Sequence, residues 1–311
     1  MANSWIKIFD YIFVLRPTLF FPVWTVFLAN YHANTIFEMK AESFVQSNSP
    51  LLSGMLIVIL MGSSFILNQL ADMETDRENE KLFIIARGHI SKPVAIIEAV
   101  LLLIISLIAA SLIDYKLGLI FLIVYFLTGI AYNFKPFSWK NKPVHGIVAN
   151  FLGGVSVAIA GWVSAGVTTW KFLIHALPYA FGLVAVYLLT TLADIKGDGV
   201  ANKLTFGVKY GFKKSAAFAI GFEMLAIMSA IWTKDYVILV PAILSFPFYI
   251  LVFKSQELKH ALLTVKLSVL FATLAVVIVY PYYFIVIIVT YYFARWYYKN
   301  RFNLEYPRFA A

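Results

Sequence analysis

Five oxygen-bearing side chains at the ends of two apolar runs carry the clearest chemistry in this sequence. Asn68, Asp72 and Asp76 follow one another at intervals of four within residues 66–90, ILNQLADMETDRENEKLFIIARGHI. On a helix, this spacing puts the three side chains on one face. Asp194 and Asp198 repeat the interval within residues 190–211, TTLADIKGDGVANKLTFGVKYG. Carboxylates at the end of an apolar run are unfavourable unless they hold a cation or a partner, so both clusters are candidate metal ligands.

Mg²⁺ is the cation that this set of oxygen ligands favours. It accepts one or two protein carboxylates and fills its other positions with water and phosphate oxygens. Two clusters that face one cavity could therefore hold Mg²⁺ ions that bridge a diphosphate and stabilise it as a leaving group. Solvation of ordinary helix ends is the alternative for either cluster alone, whereas the matched placement of both favours a shared site. Basic side chains in nearby loops would complete the site, and the candidates are Arg16, Arg87, Lys140 and Lys203.

The composition indicates that these clusters lie at a membrane boundary. The 311 residues are 61% hydrophobic and 13% charged, with a mean hydropathy of +0.82, whereas soluble proteins carry about 25% charged residues. The net charge of +9 is spread over short loops, which argues against a nucleic-acid-binding face. The absence of cysteine excludes disulfides and thiol catalysis. No cleavable signal peptide is expected, because Arg16 and Pro17 interrupt the first apolar run.

Apolar runs long enough to cross a bilayer predict nine to ten transmembrane helices. The final apolar stretch, residues 261–298, is too long for one crossing. Pro281 lies near its middle and predicts two helices, with a single kinked helix as the alternative. The other runs are at 11–30, 51–71, 95–113, 116–134, 146–167, 171–192, 215–232 and 236–253.

The distribution of basic residues predicts the orientation of these helices. With ten crossings, 20 of the 25 Lys and Arg residues fall on the side of the acidic clusters and of both termini. By the positive-inside rule, that side is cytoplasmic. The apolar runs at 51–71 and 171–192 are each followed by an aspartate pair and a basic loop, which suggests a duplicated bundle. Only four basic residues lie in the opposite loops: Lys40, Lys116, Lys171 and Lys234.

Four segments together resemble the UbiA-type superfamily of intramembrane prenyltransferases. NQLADMETDRENEKLFIIARGHIS is similar to its first signature, N-x-x-x-D-x-x-x-D with a basic, Gly-containing tail. ADIKGDGVANKLTFGVKYG resembles the second, D-x-x-G-D followed by T-x-x-V-x-x-G. YNFKPFSWKNKP is similar to the Tyr-Ser-x-Pro-Pro-x-x-x-Lys loop, and Arg16 and Pro17 sit where first helices of the family often carry Arg. The match covers about residues 10–215 in the family's order.

The resemblance implies a single integral-membrane domain over residues 1–311, an all-α polytopic bundle of nine to ten transmembrane helices around a central cavity. The motif-bearing core would be residues 10–215, followed by motif-poor spans at 216–298. This chain departs from the family pattern at Gln69 and Thr191, where many members carry acids, and has one proline of the loop's pair. The implied Mg²⁺ ligands are Asn68, Asp72, Asp76, Asp194 and Asp198, with the four aspartates as catalytic residues. The implied substrate-binding residues are Asn68, Arg16, Arg87, Tyr132, Lys140 and Lys203.

The resemblance further implies Mg²⁺-dependent transfer of a polyprenyl group from a prenyl diphosphate to an acceptor within the plasma or inner membrane. An aromatic quinone- or chlorophyll-type precursor is the expected acceptor, and a glycerol-phosphate lipid is the alternative. A cyclase or phosphatase acting on the same diphosphate is another enzymatic alternative. A cation-coupled transporter would carry its acids near mid-span rather than at span ends. A silent membrane scaffold is the remaining alternative, suggested by Thr191.

Overall fold

The computed structural model describes residues 4–41, 49–78, 84–166, 169–200 and 203–307. Within these ranges the chain is helical and contains no β-strand, so the prediction of an all-α protein is confirmed. A π-helix, Phe126–Ala131, continues the helix Tyr115–Tyr125, and Gly211 bends the helix Phe206–Thr233. The α-helices are α1 (Asp10–Phe13), α2 (Phe20–Ala41), α3 (Pro50–Ala71), α4 (Met73–Glu78), α5 (Lys92–Ile113), α6 (Tyr115–Tyr125), α7 (Pro143–Ser164), α8 (Lys171–Ala193), α9 (Ile195–Val200), α10 (Phe206–Thr233), α11 (Tyr236–Ser255), α12 (Leu258–Val279) and α13 (Tyr282–Phe302).

Eight helical segments of the described chain are long and apolar enough to cross a membrane. They are Trp5–Phe37, which contains α1 and most of α2, together with α3, α5, α7, α8, α10, α11 and α12. The segment Tyr115–Ala131 is a shorter apolar helix, and α13 is a further long one. Large apolar side chains such as Leu112 and Ile278 are over 80% exposed, as expected where a helix faces lipid. The protein is therefore a polytopic membrane bundle, as predicted.

The final apolar stretch forms two helices. The first, α12, ends at Val279, and α13 begins at Tyr282 with Pro281 as its N-cap. Proline removes a backbone donor and clashes with the preceding turn, so the break falls where the sequence predicts it. The alternative of one kinked helix is wrong.

The centre of the bundle depends on close approach between helices. Helix α8 packs against α7, α10 and α12, and α7 packs against α2. A Cβ atom at Gly161 of α7 would overlap the carbonyl oxygen of Phe27 in α2, so only glycine allows this approach. Small residues have this role in membrane proteins because association there relies on packing rather than on the hydrophobic effect.

The two terminal regions meet at one end of the bundle. Arg301 of α13 makes two hydrogen bonds of 3.0 Å with the buried carboxylate of Asp10, and Tyr297 donates a third at 2.6 Å. The ring of Phe13 stacks on Tyr297 with centroids 3.8 Å apart. A ring nitrogen of His89, in the loop that leads into α5, lies 3.3 Å from Arg301. The N-terminal segment, the loop before α5 and the end of α13 therefore share one end.

Candidate active site

The two acidic motifs adopt the same local structure. Helix α3 ends immediately before Asp72 and α8 ends immediately before Asp194; these aspartates have φ, ψ of −101°, 6° and −101°, 3°. A six-residue helix follows each aspartate, α4 in one case and α9 in the other. In each case the N–H four residues later, of Asp76 or Asp198, donates to the preceding aspartate's carbonyl at 2.8 Å. Because the i→i+4 bonding continues through the break, the interval of four still directs both members of a pair to one side.

Both motifs open onto one cavity of about 250 Å³ between the ends of α3 and α8. Its lining contains every predicted site residue except Arg87. Asp76 is buried and Asp194 is exposed, so the acids span the depth of the cavity. The lining residues are Arg16, Asn68, Asp72, Asp76, Tyr132, Lys140, Asn141, Tyr187, Thr190, Thr191, Asp194, Asp198, Lys203 and Thr205.

Asp72 is held by two lysines from distant parts of the chain. Lys140 lies 2.7 Å from one carboxylate oxygen and Lys203 lies 2.7 Å from the other. Asn68 donates to the first oxygen at 3.2 Å. Burial would raise the pKa of Asp72, but the two ammonium groups outweigh burial and hold the pKa below its usual range. Burial lowers the pKa of Lys140, and the negative charge of Asp72 offsets part of that lowering. The two lysines therefore neutralise the carboxylate of Asp72.

Asn133 orients this group, although its role was not predicted. Its side-chain oxygen accepts hydrogen bonds from Asn68 at 2.9 Å and from Lys140 at 3.1 Å. Its amide donates to the carbonyls of Gly129 and Thr128, which belong to the π-helix. A π-helix displaces backbone carbonyls from their usual partners and is frequent at functional sites. In the sequence, Asn133 is only the second residue of the segment YNFKPFSWKNKP, and no spacing relates it to Asn68.

Two tyrosines supply aromatic surface to the cavity. Burial, together with the negative charge of Asp72, raises the pKa of Tyr132 to about 12. Its hydroxyl therefore stays protonated at neutral pH and can donate a hydrogen bond. Tyr187 reaches the lining beside α7, where a Cβ atom at Gly146 would overlap its hydroxyl.

Arg16 enters the cavity at a break in the first membrane segment. Its backbone is left-handed, with φ 56° and ψ 60°, and Pro17 follows it. This conformation is unfavourable for a residue with a side chain and persists where the surroundings enforce it. Gln69 of α3 is 2% exposed and donates to the carbonyl of Val14 at 2.7 Å, two residues before Arg16.

One predicted site residue lies outside the cavity, and three further residues line the cavity although they were not predicted. Arg87 lies exposed in the turn before α5 and is not part of the cavity lining. Its role in substrate binding stays a prediction. Asn141, Thr190 and Thr205 line the cavity, and only their proximity to the motifs could have indicated them. The hydroxyl of Thr205, which is 7% exposed, has no hydrogen-bond partner among the described residues.

The carboxylates suit a metal that binds jointly with phosphate. Among the described residues, no three His, Cys, Asp or Glu side chains lie close enough to hold an ion by themselves. Each motif instead contributes two aspartates to the cavity lining. Mg²⁺ binds in this way, through one or two carboxylates with water and phosphate oxygens in its other positions. The residues present therefore fit Mg²⁺ together with a diphosphate.

Comparison with known proteins identifies relatives over most of this architecture. The sequence model of the UbiA prenyltransferase family matches residues 19–261 of this chain. The chain is 27% identical over 235 residues to the bacteriochlorophyll synthase 34 kDa chain of Chloroflexus aurantiacus, covering 70% of this chain and 71% of that protein. It is 29% identical over 190 residues to digeranylgeranylglyceryl phosphate synthase of Pyrococcus horikoshii, covering 56% and 62%.

Solved structures share the fold. A UbiA homolog from Archaeoglobus fulgidus bound to DMAPP and Mg²⁺ superposes with a TM-score of 0.65 at 20% identity, covering 86% of this chain and 99% of that one. A structure of a digeranylgeranylglyceryl phosphate synthase superposes with a TM-score of 0.61 at 20% identity, covering 88% and 98%. At this identity the likeness concerns the helical architecture.

Proposed function

Because the chain belongs to the UbiA prenyltransferase family, we propose that it transfers a polyprenyl group from a prenyl diphosphate to a membrane-embedded acceptor in a Mg²⁺-dependent reaction. The observation that carries this proposal is the convergence of both aspartate pairs with Lys140 and Lys203 on one cavity. The family and its named relatives are prenyltransferases, so the transporter and scaffold alternatives are set aside. Relatives solved with DMAPP or GPP and Mg²⁺ support the substrate class.

The aspartates and Asn68 would hold the metal. Asp72 and Asp76 would bind on one side of the cavity, with Asn68 beside them, and Asp194 and Asp198 on the other. Mg²⁺ would neutralise the charge that develops on the diphosphate as the allylic C–O bond breaks. The pair of motifs supports this role because both have the same break, short helix and i→i+4 bond.

Lys140 and Lys203 would move from Asp72 to the diphosphate. Both lysines are paired with the carboxylate of Asp72. A diphosphate would offer them an alternative anion when Asp72 binds the metal. Asn133, whose side-chain oxygen accepts a 3.1 Å hydrogen bond from Lys140, would keep the ammonium group near the cavity while its anionic partner changes. A donor that is kept close to the leaving group needs little reorganisation to stabilise the transition state.

Tyr132, Tyr187 and Arg16 would complete the substrate site. The hydroxyl of Tyr132 stays protonated and can donate to a phosphate oxygen, since its pKa is about 12. The rings of Tyr132 and Tyr187 would exclude water and present π-surface to the prenyl cation. Arg16 would add a guanidinium group, which can bind phosphate through two parallel hydrogen bonds.

An aromatic quinone- or chlorophyll-type precursor is the proposed acceptor, supported by the similarity to a bacteriochlorophyll synthase chain. A glycerol-phosphate lipid is the second candidate, supported by the similarity to digeranylgeranylglyceryl phosphate synthases. The motif loops and both termini would face the cytoplasm. This orientation rests on the distribution of basic residues.

The deciding experiment incubates the purified full chain in lipid nanodiscs with labelled geranylgeranyl diphosphate, with and without Mg²⁺. Parallel reactions contain a chlorophyllide, a hydroxybenzoate, a naphthoate or a geranylgeranylglyceryl phosphate acceptor. The proposal expects a prenylated product with one acceptor class, formed only with Mg²⁺. Release of diphosphate and a cyclic or hydrolysed product without any acceptor would instead identify a cyclase or phosphatase.

A further inference from the structure

We infer that Gln69 is a positioning residue that holds Arg16 in the diphosphate site, an inference that rests on the proposed function. Gln69 lies on α3 between Asn68 and Asp72 and is 2% exposed. Its side-chain amide donates to the carbonyl of Val14 at 2.7 Å and to that of Phe65 in its own helix at 3.3 Å. The first bond joins the metal-binding helix directly to the segment that carries Arg16.

The Val14 carbonyl needs this partner because the helix is broken at that point. Helix α1 ends at Phe13, and the left-handed backbone of Arg16 leaves the helical path. Pro17 has no N–H to contribute to the helical ladder. A backbone carbonyl without a partner is strongly unfavourable in a membrane protein, so a buried side-chain donor at this position stabilises the break.

The break in turn determines where Arg16 points. Arg16 follows Val14 by two residues and lines the same cavity as Asp72 and Asp76. A regular helix through residues 13–17 would turn the Arg16 side chain to a different face. Holding Val14 against α3 therefore maintains the backbone that delivers the guanidinium group to the cavity.

The chemistry of position 69 explains why an amide is present. A carboxylate of the same shape accepts hydrogen bonds and cannot donate one to a carbonyl. At this position it would place an unpaired negative charge against the oxygen of Val14. Glutamine supplies the donor without adding charge next to Asp72.

A double-mutant cycle tests the inference, with binding of inorganic pyrophosphate in the presence of Mg²⁺ as the readout. Gln69→Met has a similar volume but no donor, and it is compared with the wild type and in an Arg16→Met background. In the wild-type background we expect pyrophosphate to bind about tenfold more weakly, because an Arg hydrogen bond to a charged group is lost. In the Arg16→Met background, Gln69→Met should change binding less than about twofold.

The cycle also separates the possible failures. An equal loss in both backgrounds, or no loss in the wild-type background, overturns the inference while leaving the proposed function intact. A wild-type protein that binds no pyrophosphate refutes the proposed function and the inference together. If Gln69→Met gives no folded protein by size-exclusion chromatography, Gln69→Asn is put through the same cycle with the same expectation for its dependence on Arg16. Asparagine adds no charge next to Asp72, and its side chain is one methylene shorter than the one that makes the 2.7 Å bond to Val14.

Discussion

Replacing Lys203 with methionine should change the affinities for metal and for diphosphate in opposite directions. Lys203 and Lys140 each lie 2.7 Å from one oxygen of Asp72, so both oxygens are already paired. A metal that arrives alone must displace a lysine from Asp72. A metal that arrives with a diphosphate also displaces the lysines, but the loss is offset because they gain phosphate oxygens as new partners.

The magnitude follows from the exposure of the ion pair. The Lys203 and Asp72 side chains are 17% and 15% exposed, so the pair is largely but not fully desolvated. The interaction free energy of an exposed ion pair is about 0.2–1 kcal/mol, and that of a close charge pair in an interface is about 1.5 kcal/mol or more. The interaction between Lys203 and Asp72 lies between these cases, at about 1–2 kcal/mol. Since 1.4 kcal/mol corresponds to a factor of ten, Lys203→Met should bind the metal alone about tenfold more tightly. The same variant should bind pyrophosphate, at saturating metal, about tenfold more weakly.

The assay titrates purified protein with Mn²⁺, as a paramagnetic substitute for Mg²⁺, and measures pyrophosphate binding separately by calorimetry. Lys209→Met is the matched control, because Lys209 is an exposed lysine of the same segment that does not line the cavity. It should change neither affinity. If Lys203→Met weakens the binding of the metal alone, Lys203 does not compete with the metal for Asp72 and the exchange of partners is refuted.

Four further outcomes are expected. Asp72→Asn and Asp198→Asn should each retain less than a tenth of the transfer rate, a barrier increase of at least about 1.4 kcal/mol; retention of more by both variants would refute the metal site. The buried hydroxyl of Thr205 has no hydrogen-bond partner among the described residues and is therefore available to the substrate. Thr205→Val should raise the KM for prenyl diphosphate several-fold, whereas Thr205→Ser should not. Equal KM values for the two variants would show that the hydroxyl does not bind substrate. The pKa of Asp72 in the folded protein is lower than the ordinary value of about 3.9 for an aspartate. Its carboxylate therefore stays charged, and its ion pairs stay intact, at every pH above that ordinary value. The stability that the ion pairs contribute is lost as the pH falls through the lower pKa of the folded state. The melting temperature of the wild type should therefore exceed that of Asp72→Asn by a constant margin from pH 7 to pH 5, and the margin should shrink only below about pH 4; a margin that already falls near pH 6 would contradict the ion pairs. A cysteine at Asn303, in a chain with none of its own, should resist impermeant thiol reagents applied outside intact cells, and labelling there would reverse the proposed orientation.

Local sequence patterns determined the helices and the location of the chemistry. Hydropathy over about 20 residues fixes which segments can cross a bilayer, and proline ends a helix through its own geometry, so the break at Pro281 was predictable. The interval of four in each acidic motif is also a local property. It survives in the structure because the N–H groups of Asp76 and Asp198 donate to the carbonyls of Asp72 and Asp194, four residues earlier.

Only the tertiary structure decided which groups meet around those motifs. Lys203 reaches Asp72 across 131 residues of sequence, and Gln69 reaches Val14 across 55. Such contacts depend on how the bundle aligns its helix ends, which no local periodicity encodes. For the same reason Arg87, although it belongs to a motif loop, lies away from the cavity lining, whereas Asn133 joins Asn68 to Lys140. The sequence indicated the proposed ligands by residue type and spacing, and the packing of α3 against the first membrane segment and the loop after α6 determined their partners.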